Sequence, residues 1–175
     1  LTQRMEAQAK RFGVEIRYEE VSKLHVENGL KVVTTDTDAY GSHVVILAAG
    51  AEPKKLGVPG EDEFYGRGVS YCATCDGAFF RDKDVVVVGG GDSAITEGIF
   101  LTKYAKSVQI VHRRDEFRAT KIYLDEAFSN PKIKAIFNTV IESIYGQEKV
   151  DGVVTQNILT KEKKDIPCQG VFIFI

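Results

Sequence analysis

Apolar positions change period several times along this chain, and each change marks an element. Met5, Ala9 and Phe12 follow Leu1 at helical spacing, which predicts a helix that Gly13 stops. Val14 to Tyr18, Val21 to Val26 and Leu30 to Thr35 alternate partially and predict short strands parted by polar or glycine-bearing turns. His43 to Ala48 reads as a buried strand running into Ala49-Gly50-Ala51. From Glu52 to Glu61 the texture turns to proline, glycine and charge, which places a domain boundary near residue 52. Beyond it the pattern is βαβ. Asp84 to Val88 is a β-branched run, Asp92 to Tyr104 carries Ala94, Ile95, Gly98, Ile99 and Leu101 on one face, and Val108 to Val111 is a second strand. Lys121 to Phe128 predicts another helix, ending before Asn130-Pro131. Ile133 to Phe137, Val140 to Ile144 and Val153 to Leu159 follow closely and predict a three-stranded antiparallel meander. Val171 to Ile175 predicts a last strand, inside which the chain stops. The expected class is α/β, a parallel sheet with an antiparallel meander.

Composition narrows the field without naming a function. The 175 residues are 43% apolar and 27% charged with a net charge of −2, the balance of a globular protein. That charge gives no ground for nucleic acid or an anionic membrane as a general partner. The longest apolar runs, Val44 to Ala49 and Val85 to Val88, are strand-sized and too short to span a bilayer. Leu1 to Lys10 is amphipathic and charged, unlike a signal peptide, and begins inside a helical pattern without an initiator Met. A fragment of a longer protein is expected. Three cysteines, one of them isolated, do not make a secreted disulfide framework, so the cytoplasm is the expected compartment.

Three motifs carry chemistry. Gly89-Gly90-Gly91-Asp92-Ser93-Ala94 fits G-x-G-x-x-G/A between a strand and a helix, the context in which it binds a dinucleotide rather than forming a plain glycine turn. Gly89 permits the tight turn, Gly91 lets a pyrophosphate approach the backbone, and Ala94 lets helix and sheet pack closely. The second strand ends in His112-Arg113-Arg114-Asp115-Glu116-Phe117-Arg118, where an NAD-binding fold would place an acidic residue for the ribose hydroxyl. Guanidinium groups there suit the 2′-phosphate of NADPH, against the alternative of a solvated loop. Asp115 and Glu116 are expected to point outward or to orient the arginines.

Cys72-Ala73-Thr74-Cys75-Asp76-Gly77 has three readings. It is a redox pair with Asp76 moving protons, half of a zinc site, or two small buried side chains. Zinc would have to recruit from Cys168, His25, His43 and His112, whose spacing is not that of a knuckle. Cys168, after a proline at a strand entry, is expected in the core, and His25 and His43 as ordinary strand residues. Tyr145 and Lys149 match the Tyr-x-x-x-Lys of short-chain dehydrogenases but fall in a turn, so the match is taken as chance.

These three motifs, in this order and spacing, closely resemble the low-molecular-weight, bacterial-type thioredoxin reductases, and the likeness runs over essentially the whole chain. The resemblance implies a Rossmann-like FAD/NAD(P)-binding three-layer fold. It implies that electrons pass from NADPH to FAD, then to a Cys72–Cys75 disulfide, then to thioredoxin, with Asp76 as proton donor. Gly89, Gly91, Asp92, Ser93 and Ala94 would serve the pyrophosphate, and His112, Arg113, Arg114 and Arg118 the 2′-phosphate. Ala49-Gly50-Ala51 would border FAD, with Ala49 where the family's strand carries Thr. Residues 1–52 would then be the last part of a first FAD segment and 53–175 the NADPH domain, truncated at its last strand. Pro53 to Gly60 would be a hinge, the intact enzyme a homodimer, and the isolated chain an NADPH binder that holds FAD poorly and does not turn over. A non-catalytic NADPH-binding fragment and the flavoprotein component of alkyl hydroperoxide reductase are the alternatives. The latter prefers NADH.

Overall fold

The computed structural model describes residues 2–175, so Leu1 lies outside the described residues. The chain divides into two compact units, Leu1–Ala51 and Glu52–Ile175.

In the first unit, helix α1 (Thr2–Arg11) ends at Gly13, whose φ of +80° breaks the helical path. Strands β1 (Val21–Glu27), β2 (Leu30–Thr35) and β3 (Ala39–Ser42) form an antiparallel sheet in chain order. Asn28 and Gly29, at φ +48° and +78°, make the tight turn that joins β1 to β2. Two expected strands do not form: residues 14–18 and 43–48 are in no ladder. The second was expected to be buried, yet Val44, Ile46 and Leu47 are 75%, 87% and 76% exposed. A strand exists only through its hydrogen-bonded neighbour, and among the described residues none lies beside this segment.

The second unit is a three-layer α/β fold. Strands β4 (Val69–Ser70), β5 (Asp84–Gly89), β6 (Ser107–Val111), β7 (Ile133–Ile136) and β11 (Gly170–Phe174) form one parallel sheet in the order β4-β11-β5-β6-β7. Helices α2 (Ala73–Asp76), α3 (Asp92–Leu101) and α4 (Lys121–Ser129), with a 3-10 turn at Gly77–Phe80, belong to the connections. Strands β8 (Thr139–Gly146), β9 (Val150–Asn157) and β10 (Lys163–Pro167) form the separate antiparallel sheet. The meander is therefore one strand later than expected. The segment 133–137 joins β6 in parallel, and β10, with only Ile166 buried, takes the third place.

Strand alternation builds two cores from one sheet. Val86, Val88, Val111, Val171 and Ile173 face Ile141, Ile144, Val150, Val153 and Ile166 of the antiparallel layer. Val85, Val87, Val108, Ile110 and Phe172 face Ala94, Ile95, Leu101 and Ala127 of the helices. Burial on both faces is why β5 reads as a continuous valine run.

Candidate nucleotide and redox site

The carboxyl ends of β4, β5, β6 and β11 lie along one edge of the parallel sheet, where open α/β sheets bind ligands. A cavity of about 890 Å³ opens there, entirely within the second unit. Its floor is Gly89-Gly90-Gly91, its flank Asp92 and Ser93 at the start of α3, and its rim His112, Arg113 and Arg118 after β6.

Each glycine does a different job. Gly89 sits at φ +148°, and a Cβ there would fall 2.1 Å from the Phe174 carbonyl oxygen and 2.7 Å from the Ala94 Cβ. Ala94 is fully buried beneath it, so its smallness serves the packing of α3 on the sheet and not a wall of the cavity. Gly90 passes close to the His112 ring, and above Gly91 nothing lies within 4 Å of a would-be Cβ. That open space beside the first turn of α3, where free N–H groups point outward, suits a phosphate.

The rim is cationic and unspent. Among the described residues, Arg113, Arg114 and Arg118 make no ion pair, and all three are exposed. Asp115 and Glu116 are exposed without pairing to them, so they do not orient the arginines. Arg113 and Arg118 line the cavity and Arg114 does not. His112 is 6% exposed and its Nε2 is buried without a hydrogen-bond partner. Burial, then the charges of Arg118, Arg114 and Arg113, hold its imidazole below the ordinary value, so it is neutral at pH 7. The unpaired guanidinium groups of Arg113 and Arg118 on the cavity rim fit the phosphate ester of NADPH.

Asp92 lines the cavity, but its carboxylate faces elsewhere: Oδ1 accepts from the Thr120 backbone N–H at 2.6 Å and Oδ2 is 3.2 Å from the Thr120 hydroxyl. With the Arg118 N–H donating to the Gly90 carbonyl at 2.7 Å, this bond ties the arginine loop to the glycine loop.

At the end of β4, Cys72 and Cys75 are joined in a disulfide with Cα atoms 5.3 Å apart. Cys72 is half-buried and Cys75 exposed, and the Cys72 sulfur accepts from the Cys75 N–H at 3.2 Å. Asp76 is half-buried, its Oδ2 accepting from the Ser70 hydroxyl at 2.6 Å. Cys168 is fully buried, and burial pushes its thiol up to about 12, which leaves it in the core and outside thiol exchange. No group of metal-ligating side chains gathers among the described residues. Tyr145, in β8, donates its hydroxyl to Asp165 at 2.6 Å and shares no helix face with Lys149.

Two features had no visible signal in the sequence. Glu61 is 2% exposed, and its carboxylate accepts from the N–H groups of Leu56 and Gly57 at 2.8 and 2.7 Å and from the Tyr71 hydroxyl at 2.8 Å. Burial and that bond push the Tyr71 phenol up. The segment 52–56, Tyr71 and Thr139 complete the cavity wall. Ala49-Gly50-Ala51, by contrast, are exposed, and the unladdered segment before them encloses nothing, so these residues alone do not fit a flavin site.

A glycine-floored cavity with a cationic rim shares a sheet edge with a Cys-x-x-Cys disulfide, the features that pyridine nucleotide-disulphide oxidoreductases combine, and the comparisons with known proteins give that family. The chain belongs to the pyridine nucleotide-disulphide oxidoreductase family, which it matches over residues 1–175. It is 47% identical over 171 residues to the thioredoxin reductase of Treponema pallidum, covering 98% of this chain and 56% of that one. It is 48% identical over 172 residues to a bifunctional thioredoxin reductase/thioredoxin of Mycobacterium leprae, covering 98% of this chain and 38% of that one. Among solved structures, thioredoxin reductase of Lactococcus lactis superposes with a TM-score of 0.81 at 40% identity, covering 98% of this chain and 57% of that one. The chain thus spans about half the length of the curated relatives it matches.

Proposed function

We propose that this chain carries the nucleotide-binding and disulfide-bearing parts of an NADPH-dependent thioredoxin-disulfide reductase. What supports it is one juxtaposition: a glycine-floored cavity rimmed by unpaired arginines shares a sheet edge with the segment that closes the Cys72–Cys75 disulfide. In this proposal residues 53–175 are the NADPH domain and residues 1–52 part of an FAD domain. Gly89, Gly91, Ser93 and the first turn of α3 hold the pyrophosphate. Arg113 and Arg118, with Arg114 and His112 beside them, hold the 2′-phosphate, while Asp92 and Ala94 keep that cradle in shape. NADPH, when bound, would supply a hydride, and FAD in the intact protein would carry its two electrons to the Cys72–Cys75 disulfide.

The chemistry of the pair itself follows from exposure and proton balance. In the dithiol form, the Cys75 thiolate attacks one sulfur of the partner disulfide, a mixed disulfide forms, and the departing partner thiolate takes a proton from Asp76. Cys72 then gives its proton to the Asp76 carboxylate and attacks the Cys75 sulfur. The ring closes, and the second partner sulfur leaves as a thiolate that is protonated from water. Two electrons pass to the partner. Thioredoxin is the proposed partner, the Mycobacterium leprae relative being joined to one. No described helix is long and apolar enough to cross a membrane. A cytoplasmic homodimer is the proposed working form.

The test is a titration of the chain with NADPH and NADH, then exchange of the prereduced chain with oxidised thioredoxin. NADPH should bind at least about tenfold tighter than NADH, as one charge-assisted phosphate contact requires. Preference for NADH would overturn the cofactor assignment and revive the hydroperoxide reductase reading. Failure to reduce thioredoxin would overturn the partner. A visible flavin spectrum in the purified chain would overturn the expectation that these residues hold FAD poorly.

A further inference from the structure

Asp76 owes its position to a single buried hydroxyl. Ser70 ends β4, is 2% exposed, and its Oγ lies 2.6 Å from Asp76 Oδ2. The same oxygen accepts from the Cys72 N–H at 3.0 Å and lies 3.2 Å from the Cys72 carbonyl oxygen. One side chain therefore touches both the backbone of the first cysteine and the carboxylate next to the second.

A hydroxyl has one proton to give and two lone pairs to offer. When Asp76 is ionised, the Ser70 proton points at Oδ2 and makes a charge-assisted bond. When Asp76 carries the proton, the carboxyl O–H donates to Ser70 Oγ, and the Ser70 proton turns to the Cys72 carbonyl. Both arrangements use the same pairs of heavy atoms, so the carboxyl need not change partner as its proton comes and goes. An amide or backbone donor could not reverse in this way.

We propose that Ser70 is the positioning residue of the thiol–disulfide exchange, acting through Asp76 by keeping it hydrogen-bonded in both protonation states. The proposal rests on the assignment of Asp76 as the group that moves protons, and it is independent of the nucleotide and of thioredoxin.

The experiment measures exchange of the prereduced chain with hydroxyethyl disulfide, a small alkyl disulfide, by rapid quench, each variant being checked for folding by circular dichroism. Asp76→Asn should slow exchange on the order of a hundredfold and Ser70→Ala about tenfold. The double variant Ser70→Ala/Asp76→Asn should be no slower than Asp76→Asn within about twofold, because the hydroxyl then has nothing left to position. Ser70→Thr keeps the reversible donor and should stay within about twofold of the unsubstituted chain. An unchanged rate in Ser70→Ala, additive losses in the double variant, or a Ser70→Thr chain as slow as Asp76→Asn would each overturn the role of Ser70. An unchanged rate in Asp76→Asn would overturn the assignment of Asp76 itself. Should Ser70→Ala fail to fold, the Ser70→Thr rate decides.

Discussion

The two units of this chain are built from the same kinds of short strands, yet only one of them buries anything. No described residue before Glu52 is buried, and Val26, the last apolar position of β1, is 71% exposed. In the second unit Val85, Val87, Ile95 and Phe172 are fully buried between layers. A hairpin with good turn chemistry satisfies its backbone, but its side chains are covered only where a second layer packs on it. Stability and binding chemistry both come from stacking layers, not from strand formation.

The sharpest break of this contrast is a pair of truncations. Phe172→Ala should lower unfolding free energy by about 3–5 kcal/mol, because Phe172 is fully buried with its ring 5.0 Å from that of Phe80. Val26→Ala, at an exposed site, should fall within about 0.5 kcal/mol of zero. Denaturant titration of both variants decides, and equal losses would end the distinction. A second pair compares carboxylates. Glu61→Ala removes a buried carboxylate that accepts from the Leu56 and Gly57 N–H groups and the half-buried Tyr71 hydroxyl, and should cost about 1–3 kcal/mol. Glu19 also accepts two hydroxyls, from Thr35 and Tyr40, but is only half-buried, so Glu19→Ala should cost less than Glu61→Ala, within about 1 kcal/mol of zero.

Binding sharpens the comparison further. Arg118→Ala should weaken NADPH about tenfold in a fluorescence titration and leave NADH unchanged, while Arg17→Ala in the first unit should alter neither. The smallest effect concerns pH. The His112 imidazole is held below the ordinary value of about 6.5, so folding favours its neutral form. That contribution is complete above the unfolded value and is lost as pH falls below it. The melting temperature should therefore drop as pH falls below about 6.5, and His112→Gln should flatten that part of the profile.

Sequence pattern revealed what depends on neighbours in the chain. The valine run of β5, the glycine loop and the small residues of α3 lie in one continuous stretch, so period and turn chemistry suffice to place them. Pairing partners are a different matter. Ile133 to Ile136 looks like any short strand, and whether it joins β6 or β8 is decided by layers far away in sequence. β10 has no strand signature in the sequence, because Lys163, Lys164 and Asp165 precede its single buried side chain, Ile166. Residues 43–48 carry the apolar run of a buried strand without a paired neighbour among the described residues. In the site, the cysteines, glycines and arginines announce themselves by type and spacing. Ser70 and Glu61 do not, since a serine or glutamate has meaning only once its partners are brought to it.

The place of β4 in the sheet has a consequence for biosynthesis. β5 pairs with β6 and β6 with β7, neighbours in the chain that can assemble as they leave the ribosome, but β4 reaches the sheet only through β11, which is made much later. Roughly a hundred residues separate the two, which at about 5–20 residues per second leaves a delay of about 5–20 seconds. During that interval β4, which ends at Ser70, has no strand to pair with. A nascent chain therefore carries the Cys72 and Cys75 thiols beside a β4 that still lacks its sheet partner.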